Sequence, residues 1–221
     1  MLVYLDKLPT GINRAEFEAK VRQICKDRKI INPNWLMIIM FAESNMKLVS
    51  NSIGAYGFIQ ITPGTAKNDL GISIDNLKLL SWQKYMDYAS TYIKNRIAEQ
   101  KGVIPHNAYE LYALIHYPAS YQKPLNYVLY QSGSTAYNGN KGLDYNKDGQ
   151  VINAEIRQFI DSKCPLFFDK TTLLKAEDAS NYYYQNYRIG EILIAFASSI
   201  LFIFIMFKIF QKSFKRWTFS V

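Results

Sequence analysis

Hydrophobic residues recur at helical spacing along most of the chain. Between residues 14 and 29, Phe17, Val21, Ile24 and Cys25 fall on one face of an amphipathic helix. Helical patterns return at residues 81–100 and 107–117, whereas the alternation that is typical of strands is scarce. The pattern therefore predicts a mainly α fold.

One segment is apolar on every side. Asn32 and Pro33 offer a side-chain cap followed by a proline at the first helical position. The run from Trp35 to Ala42 that follows contains no polar residue. A helix without a polar face belongs inside a domain, so we expect a compact bundle of helices packed around this central one.

A second apolar run lies near the C-terminus. Residues 192–207 hold no charge, and a helix over 189–210 is long enough for the ~30 Å hydrocarbon core of a bilayer. We expect a linker at 166–188, one transmembrane helix at 189–210 and a basic tail at 211–221. A buried core helix is the alternative. The basic residues behind this segment favour a C-terminus on the cytoplasmic or lumen side.

Length and charge add two constraints. The 221 residues suit one domain at residues 1–165 plus the membrane segment. The net charge of +8 suggests anionic partners. Nucleic acid is not expected, because the basic residues are scattered or lie beside the membrane segment rather than along one aromatic-rich surface. Cys25 and Cys164 permit one disulfide, but two buried thiols are the favoured interpretation.

The candidate chemistry begins at Glu43, which is followed by Ser44 at the end of the apolar helix. A carboxyl group that emerges from such a helix into a cleft is poorly solvated, which favours its protonated form and suits general acid catalysis. An ordinary surface carboxylate is the alternative. Downstream, Gly54 and Gly57 suit a tight turn that lines a groove, because they permit conformations and close approaches that a Cβ would block.

Three blocks of sequence around Glu43 resemble one enzyme family. The first is Glu43-Ser44, the second is residues 54–60 (GAYGFIQ) with the turn at 61–66 (ITPGTA), and the third is residues 113–120 (ALIHYPAS). In this order they are similar to the signature of SLT-type lytic transglycosylases and goose-type lysozymes. The resemblance implies a lysozyme-like helical domain. The chain departs from the usual pattern at Phe58, Ile59, Pro118 and Ser120.

The resemblance also implies roles for single residues. By position, Glu43 is the catalytic acid and base. Ser44 orders the cleft, Gln60 contacts the glycan, and the Tyr117 hydroxyl lies near Glu43. The implied substrate-binding residues are Ser44, Gly57, Gln60 and Tyr117. His116 is interpreted as a structural histidine, with a position toward the cleft as the alternative.

The implied reaction cuts the bond between N-acetylmuramic acid and N-acetylglucosamine in peptidoglycan glycan strands. Two-carboxylate glycosidases hold the second acid about 5–9.5 Å from the first, and no Asp or Glu lies between Glu43 and Asp69. A single-acid scheme therefore fits better, in which Glu43 protonates the glycosidic oxygen and then activates the muramoyl 6-hydroxyl. Attack by water instead would make the site a lysozyme, and the sequence leaves both outcomes open.

Residues 144–155 match the twelve-residue calcium loop of an EF-hand. Oxygen-bearing side chains stand at its first, third, fifth and twelfth positions, and Gly149 stands at the sixth, where the loop turns sharply. The pattern predicts a structural Ca²⁺, and a polar surface turn is the alternative. Some lytic transglycosylases resemble this chain in carrying such a loop. The predicted ligands are Asp144, Asn146, Asp148, Gln150 through its carbonyl, and Glu155.

Together these features predict a single-pass membrane protein that cleaves peptidoglycan, with glycan strands and the lipid bilayer as partners. The first ten residues do not show the pattern of a secretory signal. This suggests a virion-associated entry enzyme in the membrane of a lipid-containing bacteriophage, with capsid or spike proteins as further partners. The bacterial inner membrane is the competing location. A catalytically inactive glycan-binding or structural membrane protein with a lysozyme-like fold is the alternative function.

Overall fold

A computed structural model describes residues 1–165 of the chain, and these residues are mainly helical. The prediction of a mainly α fold is confirmed for this part. The helices are α1 Arg14–Asp27, α2 Pro33–Ser44, α3 Pro63–Leu70, α4 Ile74–Lys78, α5 Trp82–Glu99, α6 Ala108–His116, α7 Thr135–Asn140 and α8 Asn153–Ser162. The strands are β1 Val128–Gln131 and β2 Gln150–Ile152.

The predicted membrane anchor lies elsewhere in the chain. Within residues 1–165, no helix is both long and apolar enough to cross a bilayer. The predicted linker at 166–188, the transmembrane helix at 189–210 and the basic tail at 211–221 lie outside the described residues.

Helix α2 occupies the centre of the bundle, as its sequence predicts. The Asn32 side chain accepts the Asn34 N–H at 3.0 Å, and Pro33 is the first helical residue. From Trp35 to Met40 no residue is more than 1% exposed. The helix packs against α1, α6 and α8, so apolar neighbours surround a segment that has no polar face.

The other predicted helices surround this centre. Helix α1 buries Phe17, Val21, Ile24 and Cys25, the four residues that share one face in the sequence pattern. Helices α5 and α6 correspond to the helical patterns at 81–100 and 107–117. Polar side chains begin each of them by accepting backbone N–H groups. These caps are Asn13 for α1, Ser81 for α5 and Asn107 for α6.

Strands β1 and β2 form a small antiparallel sheet beside the bundle. Tyr130 lies opposite Val151, and the register shifts between Val128 and Tyr130. This bulge breaks the alternation of the strand, so Leu129 and Tyr130 are both buried although they are adjacent. As a result, Tyr130 reaches toward the end of α6, where its hydroxyl meets His116.

The two cysteines are both buried thiols, which confirms the favoured interpretation. Cys25 lies on the inner face of α1, and burial raises the pKa of its thiol to about 12. At neutral pH this thiol is therefore protonated and unreactive.

Candidate active site

Glu43 is the next-to-last residue of α2, and its side chain is 16% exposed. It opens onto a cleft of about 410 Å³. Among the described residues that line the cleft, Glu43 is the only carboxylate, and His116 and Arg96 are the basic groups. The other lining residues come from positions 51–65, from Tyr92, from Ile115 and Pro118, and from Tyr130, Gly139 and Asn140.

Ser44 joins the end of α2 to the glycine-rich turn. Its hydroxyl lies 3.0 Å from the Met40 carbonyl oxygen and 3.1 Å from that of Phe58, and it accepts the Lys47 N–H at 3.2 Å. The Phe58 contact crosses from α2 to the turn, so Ser44 holds these two walls of the cleft together. The ordering role that the resemblance implies for Ser44 stays a prediction.

Gly57 lies directly on the ring of Tyr85. Its φ is +85°, and a Cβ at this position would lie 2.5 Å from the Tyr85 hydroxyl oxygen and closer still to two ring carbons. The Tyr85 hydroxyl donates to the Tyr56 carbonyl at 3.1 Å and accepts the Ile59 N–H at 3.2 Å. Burial raises the pKa of Tyr85, so its hydroxyl keeps the proton that it donates. Only glycine permits this approach of the turn to Tyr85.

Gln60 lines the cleft, as predicted, but its amide N–H groups are already engaged. They donate to the carbonyl oxygens of Gly57 at 2.8 Å and Val49 at 3.1 Å. Its buried Oε1 has no hydrogen-bond partner among the described residues. The backbone of Gln60 is left-handed, with φ +51°, a strained conformation for a residue with a Cβ. Gln60 thus shapes the turn that lines the cleft.

Tyr117 packs against Tyr130. Its ring lies edge-on to that of Tyr130 at 5.4 Å between centroids. It is not among the described residues that line the cleft. The hydroxyl that lies near Glu43 is that of Tyr112. Burial, the negative charge of Glu43 and hydrogen bonding with it, in that order, raise the pKa of Tyr112 well above its ordinary value.

His116 also reaches the cleft, in agreement with the second interpretation of this residue. Its Nδ1 lies 3.6 Å from Glu43 Oε1 and 3.4 Å from the Tyr112 hydroxyl, and its Nε2 lies 3.0 Å from the Tyr130 hydroxyl. Its ring stacks on that of Tyr112 at 5.0 Å. The spacing of four between Tyr112 and His116 places both on one face of α6, which is a signal that the sequence offers. Nothing in the sequence signals Tyr130.

Arg96 is the other basic group of the cleft. Its Nη2 lies 2.8 Å from a carboxylate oxygen of Asp69 and 2.6 Å from one of Glu99, and its guanidinium group lies over the Tyr92 ring. Its buried Nε has no hydrogen-bond partner among the described residues. These two ion pairs hold Arg96 in place and balance its charge.

The predicted calcium loop connects α7 to α8 and contains β2. Gly149 has φ +85°, and Asp144 and Glu155 are only 7% and 5% exposed. Asp144 accepts the N–H groups of Asp148 and Gly149 at 3.2 and 3.0 Å. Glu155 Oε1 accepts the Tyr145 N–H at 2.8 Å, and its Oε2 accepts the Ile152 N–H at 3.0 Å. The first and last carboxylates of the loop therefore both face its interior.

These carboxylates are turned to the backbone of the loop rather than to one another. Within residues 1–165, no group of three or more His, Cys, Asp or Glu side chains is arranged to hold a metal ion. The remaining predicted ligands are Asn146, Asp148 and the carbonyl of Gln150, and the Asn146 amide donates to Asp148 at 3.0 Å. The oxygen donors that Ca²⁺ prefers are thus present in one loop.

Comparison of the chain with models of known protein families, with curated proteins and with solved structures finds no match. Support for a function therefore comes from the motifs and from the geometry of the cleft.

Proposed function

We propose that the chain is a peptidoglycan-cleaving enzyme with a lysozyme-like domain, in which Glu43 is the single general acid and base. The observation that carries this proposal is the composition of the cleft. Glu43 is largely buried, and it is the only carboxylate among the described residues that line the cleft. A mechanism with two carboxylates needs a second acid in the same space, so the geometry favours a lytic transglycosylase scheme.

In the proposed reaction, protonated Glu43 gives its proton to the glycosidic oxygen between N-acetylmuramic acid and N-acetylglucosamine, and the bond from C1 to that oxygen breaks. The Glu43 carboxylate then takes the proton of the muramoyl 6-hydroxyl, whose oxygen bonds to C1. The products are a 1,6-anhydromuramoyl end and a free N-acetylglucosamine end, and Glu43 recovers its proton. If water replaces the 6-hydroxyl, the reaction is hydrolysis.

The residues around Glu43 support both halves of this cycle. Tyr112 keeps its hydroxyl proton, because burial and the charge of Glu43 raise its pKa. It can therefore donate to the carboxylate that forms when Glu43 gives up its own proton, and such bonds to a charged acceptor are strong. Ser44 joins the end of α2 to the glycine-rich turn through the Phe58 carbonyl, and Gly57 packs this turn against Tyr85.

The loop at 144–155 is proposed to bind one structural Ca²⁺ through Asp144, Asn146, Asp148, Gln150 and Glu155. Support comes from the spacing of these oxygen donors, from the buried first and last carboxylates, and from the left-handed Gly149. The ion would clamp the loop between α7 and α8. Because residues of β1 and α7 line the cleft, the clamp would also stabilise one of its walls.

The location proposed for the protein is a membrane, held by the transmembrane segment that the sequence predicts at 189–210. The virion membrane of a lipid-containing phage is the preferred case, and the bacterial inner membrane is the competing one. Detection of the protein in purified phage particles would support this location. Its presence only in bacterial inner-membrane fractions would refute it.

The catalytic proposal is tested with the full-length protein in a mild detergent on purified peptidoglycan. Glu43→Gln should lower the release of glycan fragments at least about a hundredfold, which is typical for loss of a general acid. Glu16→Gln, at an exposed position of α1, is the matched control and should not change it. Equal release by the Glu43→Gln variant and the wild type would refute the proposal. Mass spectrometry of the fragments then distinguishes anhydro ends from hydrolysed ends.

A further inference from the structure

His116 lies between the proposed catalytic carboxylate and a tyrosine from the small sheet. Its Nδ1 faces Glu43 Oε1 at 3.6 Å, and its Nε2 faces the Tyr130 hydroxyl at 3.0 Å. The side chain is 17% exposed, so it is part of the cleft wall. One imidazole ring thus connects Glu43 on α2 with Tyr130 on β1.

The contact with Tyr130 bears on which ring nitrogen of His116 carries the proton. Burial, together with Tyr117 and Glu43, raises the pKa of Tyr130, so its hydroxyl keeps a proton to donate. The hydrogen-bond partner of this hydroxyl within the described residues is His116 Nε2. A hydroxyl that donates to Nε2 needs that nitrogen unprotonated. With Tyr130 as the donor, the ring proton lies on Nδ1, which is 3.6 Å from Glu43 Oε1 and 3.4 Å from the Tyr112 hydroxyl.

We propose that His116 is a positioning residue for Glu43, which donates its Nδ1–H to Oε1 and thereby keeps the acidic proton of Glu43 on Oε2. This inference rests on the proposed function of Glu43. The separation of 3.6 Å is longer than a hydrogen bond. Hydrogen bonds in catalytic sites are often long without substrate, however, and they shorten in the complex. A neutral donor serves both protonation states, because Oε1 accepts from it whether Glu43 is the acid or the carboxylate.

The first test measures the tautomer directly in the full-length protein. The chain contains two histidines, and His106→Gln removes the exposed one, so ¹⁵N-labelled histidine leaves a single ring to observe by NMR. We expect a protonated Nδ1 and an unprotonated Nε2 at neutral pH. Tyr130→Phe should relax this preference. A predominant Nε2–H tautomer in the protein with Tyr130 intact would overturn the inference.

The second test measures turnover of soluble glycan strands. Loss of one hydrogen bond to a charged group predicts that His116→Ala lowers kcat about tenfold to a hundredfold and leaves KM unchanged. His116→Asn retains an N–H near the position of Nδ1 and should recover most of kcat. His106→Gln is the matched control and should behave like the wild type.

The outcomes separate the two proposals. If the wild type does not cleave glycan, the proposed function fails and the catalytic part of this inference fails with it, while NMR still decides the tautomer. If the wild type is active but His116→Ala retains its kcat, His116 has only a structural role. A lower Tm of His116→Ala without a lower kcat would show this purely structural role.

Discussion

Replacing Gly57 with alanine tests whether the cleft depends on the close approach of this turn to Tyr85. Two costs add in the folded state. A residue with a Cβ in the left-handed region, here at φ +85°, costs about 1–2 kcal/mol. The new Cβ would also overlap Tyr85, which is fully buried and held at its hydroxyl by Tyr56 and Ile59. Because Tyr85 has no free space to move into, this overpacking adds about 1–3 kcal/mol.

Gly57→Ala should therefore lower the free energy of unfolding by about 2–5 kcal/mol. The matched control is Gly71→Ala at the end of α3. Gly71 has φ +66°, but a Cβ there would meet nothing within 4 Å. This control therefore carries only the backbone cost of about 1–2 kcal/mol, and the difference between the two variants measures the overlap with Tyr85.

Urea unfolding of the full-length variants, followed by circular dichroism, measures both values. If Gly57→Ala is no more destabilised than Gly71→Ala, the reasoning about Tyr85 is refuted. Gly57→Ala should also reduce glycan cleavage, because the Gly57 carbonyl anchors the Gln60 amide in the cleft. Gly71 has no such contact with the cleft, so Gly71→Ala should keep its activity.

Two further predictions concern the loop at 144–155. Chelation of calcium should lower the Tm of the wild type but not that of Glu155→Gln, which lacks the closing carboxylate; an unchanged wild-type Tm in excess chelator would count against the calcium site. The hydrogen bond from Tyr137, with further backbone hydrogen bonds, lowers the pKa of Asp144. A carboxyl group with a lowered pKa stabilises the fold above its unfolded pKa of about 3.9. In metal-free protein, Tyr137→Phe should therefore be less stable than the wild type at neutral pH. This difference should shrink as the pH falls through the lowered pKa, and a difference that does not depend on pH would contradict the linkage.

The sequence predicts these helices because the pattern that indicates a helix is local. Helix α2 is bounded by the cap at Asn32 and is apolar along its length, and both features appear in a few adjacent residues. The inner face of α1 was equally readable from the spacing of its apolar residues. Short motifs also predict the positions of Glu43, Ser44 and the turn at Gly57, because each motif covers only a few adjacent residues.

The residues that surround Glu43 were harder to predict from the sequence. The resemblance assigned a nearby hydroxyl to Tyr117, whereas the structure brings the Tyr112 hydroxyl to the carboxylate. The two residues are five positions apart, so they do not share a helical face. His116 was interpreted as structural, since a sequence does not show which elements meet the end of α6.

What the sequence by itself determined is the presence of α1, α2, α5 and α6, the burial of α2 and the position of one carboxyl group at its end. These properties depend on periodicity and on local capping, which operate within a few residues. Only the tertiary structure placed Tyr85 beneath Gly57 and brought Tyr130 to His116. Both contacts join elements that are distant in the chain, and the second also needs a bulge in β1. A pattern shows which face of an element is buried, but packing decides which residue that face meets.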